Sequence, residues 1–334
     1  MTMKERIIWL DSLKGWLMIL VVLGHAIQYC LPDSYDTNYW WCLIYSFHMP
    51  AFMAASGFVN YKSTFVGGVT LCKRRSYQLL VPYLIWSIIR YLLSQNKTIY
   101  GFIGIVVNPN GYFWFLWTLW IINLLFIFGD TLSNKLKIKQ ELTIGGISMI
   151  LVSIMTILNL RLFGFQFISY YFLFYVIGYY INKYKTSILA RNKAKIVILF
   201  LIWLAMGSFW DMHSLPIFLE GVTFVPSSLL QYAYRFFTAL VAIYGIFCIA
   251  PKLLNTSGRV NQKIVHIGQI SLGIYVVHLL LISHVADFMT KVLPTNLTIL
   301  SIISTFIIAL IVSVALVEIL LKNKYTSRFL LGKL

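Results

Sequence analysis

Two residues in the first apolar stretch have the types and spacing for chemistry. The segment from Leu10 to Leu31 reads LDSLKGWLMILVVLGHAIQYCL and holds Lys14 near its start and His25 deep inside. An imidazole can take a hydroxyl proton as a general base or carry a group as a nucleophile. An ionisable side chain inside a membrane helix is costly and marks a functional site by default. Eleven helical steps turn through about 1100°, three turns plus about 20°, so the two side chains share a face about 16 Å apart along the axis. This places Lys14 at the cytoplasmic mouth of a tunnel and His25 at its chemical centre.

Further candidates lie in later apolar stretches. YSFHMPAFMAASGF carries His48 and Pro50 in its outer third and Ser56 toward its inner end. His48 reads as a site residue or as a histidine bonded to a neighbouring helix. Pro50 can free a backbone carbonyl, and Ser56 with Gly57 reads as a substrate contact or as close helix packing. Lys73, Arg74 and Arg75 are consecutive. Such a cluster suits phosphates, and it serves membrane topology and headgroup contact equally well. Trp114 stands in the run GYFWFLWTLW, whose aromatics suit a membrane interface. His278 lies midway along GQISLGIYVVHLLLISH, with His284 six residues on. Six steps are about 600°, so only one of these two faces a common cavity.

No acid sits at mid-span. Asp11, three residues before Lys14, can pair with it, but it is about 21 Å from His25 along the axis and cannot orient that ring. Asp33 or Asp36 would have to fold back to do so. The histidines are scattered, so no metal site is expected, and HExxH, GxSxG and P-loop patterns are absent from the sequence. Cys30 and Cys42 flank one short outer loop, where a bridge is possible.

These residues need an apolar scaffold, and the composition supplies one. The chain of 334 residues is 60% hydrophobic and 11% charged, with mean hydropathy +0.81, whereas soluble domains are about a quarter charged. The expected fold is all-α: a polytopic membrane helix bundle, one integral domain over 1–334, in the plasma (inner) membrane. A span needs about 20 apolar residues, and ten candidates follow at 12–31, 39–60, 77–95, 112–129, 142–160, 166–182, 196–213, 227–250, 267–286 and 299–321. With both termini cytoplasmic, 22 of the 27 Lys and Arg fall on the inner side, as the positive-inside rule requires. That distribution, rather than a nucleic-acid partner, accounts for the net charge of +17. The first stretch lacks a small-x-small cleavage site and reads as a retained helix. Residues 96–111 and 214–226 are semi-apolar and read as interfacial or re-entrant stretches or as packed loops. The inverted repeat that points to many transporters is not evident.

The motifs and their order resemble acyltransferase family 3, in the branch of sugar O-acetyltransferases similar to fucose 4-O-acetylase. The resemblance runs from 6 to about 320 through RIIWLDSLKGWLMILVVLGH, FHMPAFMAASGF, KRRSYQLLVPYLIW, WFLW and SLGIYVVH. The first motif is the most specific: a basic residue, ten others, then histidine. Many members have Arg at the first position; Lys14 keeps the charge without the guanidinium fork. The resemblance implies a ten-helix enzyme that takes acetyl from cytoplasmic acetyl-CoA. The acceptor would be a hydroxyl of a surface polysaccharide or lipid-linked sugar. It makes His25 the catalytic residue, with Lys14, Lys73, Arg74 and Arg75 holding the coenzyme and His48, Ser56, His278 and Trp114 around the substrate. Some relatives carry an additional esterase-like domain; this chain is expected to release product directly or to work with glycan-assembly partners. At about 18 Å into a core about 30 Å thick, His25 sits within reach of a coenzyme arm from inside and an acceptor from outside. Direct transfer and an acyl-histidine relay both fit. The residues alone also suit a glycan or lipid transporter, or a non-catalytic component of an assembly complex.

Overall fold

The computed structural model describes residues 6–61, 67–95, 97–109, 111, 113–158, 160–184 and 193–333. Lys4, Lys62, Lys185 and Arg191, counted above toward the inner side, lie outside the described residues. The helices in chain order are α1 (Ile8–Cys30), α2 (Tyr39–Tyr45), α3 (His48–Asn60), α4 (Gly68–Arg75), α5 (Val81–Leu93), α6 (Ile99–Val107), α7 (Trp114–Leu136), α8 (Gln140–Leu158), α9 (Phe165–Lys183), α10 (Lys193–Ser208), α11 (Ser227–Leu253), α12 (Arg259–Gln269), α13 (Ser271–Val292), α14 (Thr298–Lys322) and α15 (Lys324–Leu331). There is no strand among the described residues. Two compact units emerge: Met1–Phe52 with Thr186–Val317, and Met53–Lys185 with Glu318–Leu334.

Among the described residues, eight segments are long and apolar enough to cross a membrane: α1, α2 with α3, α7, α8, α9 with the turn before it, α11, α13 and α14. The chain is an all-helical membrane protein. The other two expected spans, 77–95 and 196–213, correspond to shorter helices, α5 with 13 residues and α10 with 16. The α5 span is cut by a π-helical turn at Ser76–Leu80. Pro82 explains the cut: it has no N–H for the Gln78 carbonyl four residues back, and its ring crowds that oxygen.

In the first unit, α1 is held by backbone-level contacts. A Cβ on Gly15 would lie 2.1 Å from the Ile264 carbonyl oxygen, and one on Gly268 would lie 1.8 Å from that of Asp11. Small residues therefore let α12 lie directly on the inner half of α1. Asn261, Ile264 and Gly268 recur at helical spacing and form the buried face of α12. The Ser12 hydroxyl donates to Asn261 Oδ1 at 2.6 Å, and Asn261 Nδ2 caps the Leu254 and Thr256 carbonyls at 3.1 and 2.6 Å. The second span breaks at Ser46–Phe47, between α2 and α3. Pro50, four residues after Ser46, cannot donate to that carbonyl, and the helix restarts at His48.

The second unit repeats the device. A Cβ on Gly57 would lie 1.9 Å from the Tyr175 carbonyl oxygen, and one on Gly178 equally close to that of Ala54, which locks α3 against α9. The C-terminal α15 braces the π turn. Trp86 Nε1 donates to the Leu330 carbonyl at 2.8 Å, and Arg328 stands 5.0 Å over the Tyr77 ring. Gly332, at φ +62°, closes α15 where a Cβ would lie 2.2 Å from the Gln78 carbonyl oxygen. Residues 96–111 contain the apolar α6, which has no buried residue and whose Ile105 carbonyl accepts from the Tyr83 hydroxyl. Residues 214–226 hold one short turn, Ile217–Leu219, with Phe218 and Phe224 exposed. The bridge considered between Cys30 and Cys42 does not form: both are free thiols, on Thr305 Oγ1 at 3.5 Å and the Asp36 carbonyl at 3.0 Å. The Asp36 contact turns Cys42 into the outer loop.

Candidate active site

His25 is half-buried on α1. Its Nδ1 lies 3.1 Å from Gln28 Oε1, nearly one turn further along. The Tyr45 hydroxyl, from α2, donates to the same oxygen at 3.2 Å. An amide oxygen only accepts, so Nδ1 carries the ring hydrogen and Nε2 keeps its lone pair. The orienting group that carboxylates could not supply is therefore an amide on the same helix. Asp36 does not fold back; its carboxylate lies 3.9 Å from His213 Nε2, and Asp33 is exposed.

Two other imidazoles stand near. The His278 ring, on α13, has its centroid 5.4 Å from that of His25 and is fully buried. Its Nδ1 donates to the Ile274 carbonyl at 2.8 Å, and its Nε2 is a buried acceptor with no hydrogen-bond partner among the described residues. His284, the other histidine of that stretch, is exposed. His48 donates from Nδ1 to the Ile44 carbonyl at 2.7 Å, a contact made at the break that precedes α3. Tyr45 joins the set, edge-on to His48 at 4.7 Å and to His25 at 6.4 Å. Among the described residues no group of three His, Cys, Asp or Glu is placed to hold a metal ion.

Lys14 is half-buried, and its Nζ lies 3.8 Å from Asp11 Oδ1. Met18 and Val21, between Lys14 and His25 on the shared face of α1, are both buried, so that face turns into the protein. Lys73, Arg74, Arg75, Ser56 and Trp114 belong to the second unit. There, Lys73 and Arg74 are exposed, whereas the Arg75 guanidinium donates to Gln78 Oε1 at 3.2 Å and Asn60 Oδ1 at 3.4 Å. Ser56 is half-buried beside the tight Gly57 crossing. Trp114 stacks on Phe167 and Tyr171 of α9, at 4.5 and 5.1 Å. Sequence reasoning missed Gln28 and Tyr45. The three-residue spacing from His25 was a usable signal for Gln28; nothing local pointed to Tyr45, because its place depends on the α1–α2 hairpin.

The acyltransferase domain model matches residues 7–318, which include parts of both units. The chain belongs to acyltransferase family 3. Two curated relatives of this family 3 chain are proteins named nodulation protein NolL. That of Sinorhizobium fredii is 34% identical over 128 residues, covering 34% of this chain and 34% of its own. That of Mesorhizobium japonicum is 31% identical over 124 residues, covering 33% of this chain and 32% of its own. The aligned part is thus about a third of each relative's length. No solved structure matches the chain.

Proposed function

We propose that the protein is a membrane O-acetyltransferase that moves acetyl from acetyl-CoA to a hydroxyl of a surface polysaccharide or lipid-linked sugar. The observation that carries this reading is His25: a half-buried imidazole whose Nδ1 is tied to Gln28, which leaves the lone pair on Nε2, inside a helix of an acyltransferase family member. Nε2 takes the acceptor's hydroxyl proton as that oxygen bonds the acyl carbon, and the C–S bond breaks. The imidazolium then returns the proton to the departing sulfur, which balances the step. Direct transfer needs only this one base.

The buried Nε2 of His278 supplies an acceptor close to His25 for a substrate hydroxyl or an ordered water. His48, fixed by the Ile44 carbonyl, lines the same cluster with Tyr45. In the second unit the residues suited to the coenzyme's phosphates are Lys73 and Arg74, whose side chains are exposed, on a segment that Arg75 holds; in the first unit the suited cation is Lys14. Ser56 and Trp114 are assigned to the acceptor side of the same reaction. We place the protein in the plasma membrane with both termini cytoplasmic, as the distribution of basic residues suggests.

The test is label transfer. Purified protein receives acetyl-labelled coenzyme and a glycan or lipid-linked sugar fraction, and label in that fraction is followed. Parent protein transfers it, and His25→Ala loses it by at least about a hundredfold, the usual share of a general base. Undiminished transfer by His25→Ala ends this assignment.

A further inference from the structure

The structure assigns Gln28 as the positioning residue of His25, with Tyr45 fixing Gln28 in turn. The inference rests on the reading of His25 as the base, and goes beyond it by saying what makes that ring a base.

An imidazole is useful here in only one of its two neutral forms. Nε2 must hold a lone pair, so the hydrogen must reside on Nδ1. Gln28 Oε1, at 3.1 Å from Nδ1, is an obligate acceptor and selects that form. The amide could in principle turn over and offer its NH₂ instead. Turning it over would break the bond that the Tyr45 hydroxyl donates to the same Oε1 at 3.2 Å. Both lone pairs of that oxygen are then used, one by each donor. Tyr45 is itself stacked on Trp41, with ring centroids 3.8 Å apart, and Trp41 is buried. The orientation of Gln28 thus derives from the packed aromatic wall of α2.

The choice of an amide over a carboxylate has a physical reason. A carboxylate at the same place would favour the charged ring, and a ring that already holds two protons cannot take a third from the acceptor. It would also add a formal charge inside the membrane, where charge is expensive. A neutral acceptor orients the ring and leaves it able to bind the hydroxyl proton when the C–O bond forms. The same oxygen then steadies the transient imidazolium through the retained Nδ1–H.

The experiment compares Gln28→Ala, Gln28→Glu and Tyr45→Phe with parent and His25→Ala, in the labelled-acetyl assay, as kcat, KM and pH profile. Gln28→Ala is expected to lower kcat by about ten- to hundredfold, the scale of a misplaced reacting group, with KM for acetyl-CoA unchanged. Gln28→Glu keeps an acceptor, so it is expected to regain activity at high pH, with the acidic limb of the kcat profile moved up by about one pH unit or more. Tyr45→Phe is expected to fall between parent and Gln28→Ala. A Gln28→Ala enzyme with parental kcat overturns the inference. So does a folded Gln28→Glu protein, with parental elution and unfolding temperature, that is as inactive as Gln28→Ala at every pH. Failure of the underlying reading shows itself separately, as a His25→Ala protein that still transfers acetyl.

Discussion

Arg74→Ala and Arg75→Ala are expected to do different damage although the residues are adjacent. Arg75 donates to Gln78 Oε1 at 3.2 Å and Asn60 Oδ1 at 3.4 Å, and Asn60 is fully buried. Hydrogen bonds from a charged donor contribute about 1.5–3 kcal/mol each, and these two are long, so the lower value applies and the pair sums to about 3 kcal/mol. The loss falls where α3 ends and the π turn begins. It should lower the unfolding temperature in detergent by about 5 °C or more. Arg74 is exposed, so its removal should leave that temperature unchanged. If it contacts a coenzyme phosphate, losing one charge-assisted bond should raise KM for acetyl-CoA by about tenfold. The assay is thermal unfolding of both variants beside coenzyme kinetics. The reasoning is refuted if Arg75→Ala unfolds like the parent and raises KM as Arg74→Ala does. It is also refuted if neither variant changes KM, which would leave the cluster to topology alone.

Two further substitutions probe the frame around the site. Gly268→Ala puts a methyl where a Cβ would lie 1.8 Å from the Asp11 carbonyl oxygen, so α12 must lift from α1; the cost is about 1–3 kcal/mol, and an unshifted unfolding temperature would show the crossing to be looser than this. Asp211, beyond the end of α10, feels burial, which raises its carboxyl, but the backbone N–H groups of Ser214 and His213, at 2.7 and 2.6 Å, outweigh it and hold it below the usual range. A carboxyl lowered in the folded state adds stability above its unfolded value, about 3.9, and loses it as pH falls through the folded value. Parent and Asp211→Ala should therefore converge in unfolding temperature below about pH 4; parallel pH curves would contradict this.

Much of this architecture was legible because membrane spans declare themselves by length and hydropathy. The π turn at Ser76–Leu80 was not, since the apolar run continues through it while Pro82 alone disturbs the hydrogen bonding. The break before His48 was half-legible: Pro50 announced a freed carbonyl, but only the structure shows the His48 ring tied to Ile44. Lys14 and His25 could be paired by helical arithmetic. Their partners could not all be found that way. Asp11 and Gln28 lie three residues from them on the same helix, within reach of local rules, whereas Tyr45 and His278 arrive from other helices and depend on packing. Arg75 shows the converse limit. Three consecutive cations look alike in a sequence, and only the helix phase turns one inward to Asn60 while leaving two outside.

The tight crossing on α1 bears directly on the chemistry ten residues away. A side chain's working atoms ride about 5–6 Å from the helix axis, so a 20° roll of α1 would carry the His25 ring through about 2 Å. A displacement half as large can cost a hundredfold in rate. The leucines and valines of α1 resist such a roll weakly, because their rotamers can readjust. Gly15 and Gly268 resist it differently: they bring the backbones of α1 and α12 together, with the Ile264 and Asp11 carbonyl oxygens in the way of any added atom. Backbone cannot change rotamer. The Ser12 to Asn261 bond of 2.6 Å adds a direction to that contact. Gly268→Ala should consequently lower kcat as well as stability, and a variant that loses stability while keeping full kcat would show that His25 is aimed by Gln28 and Tyr45 alone.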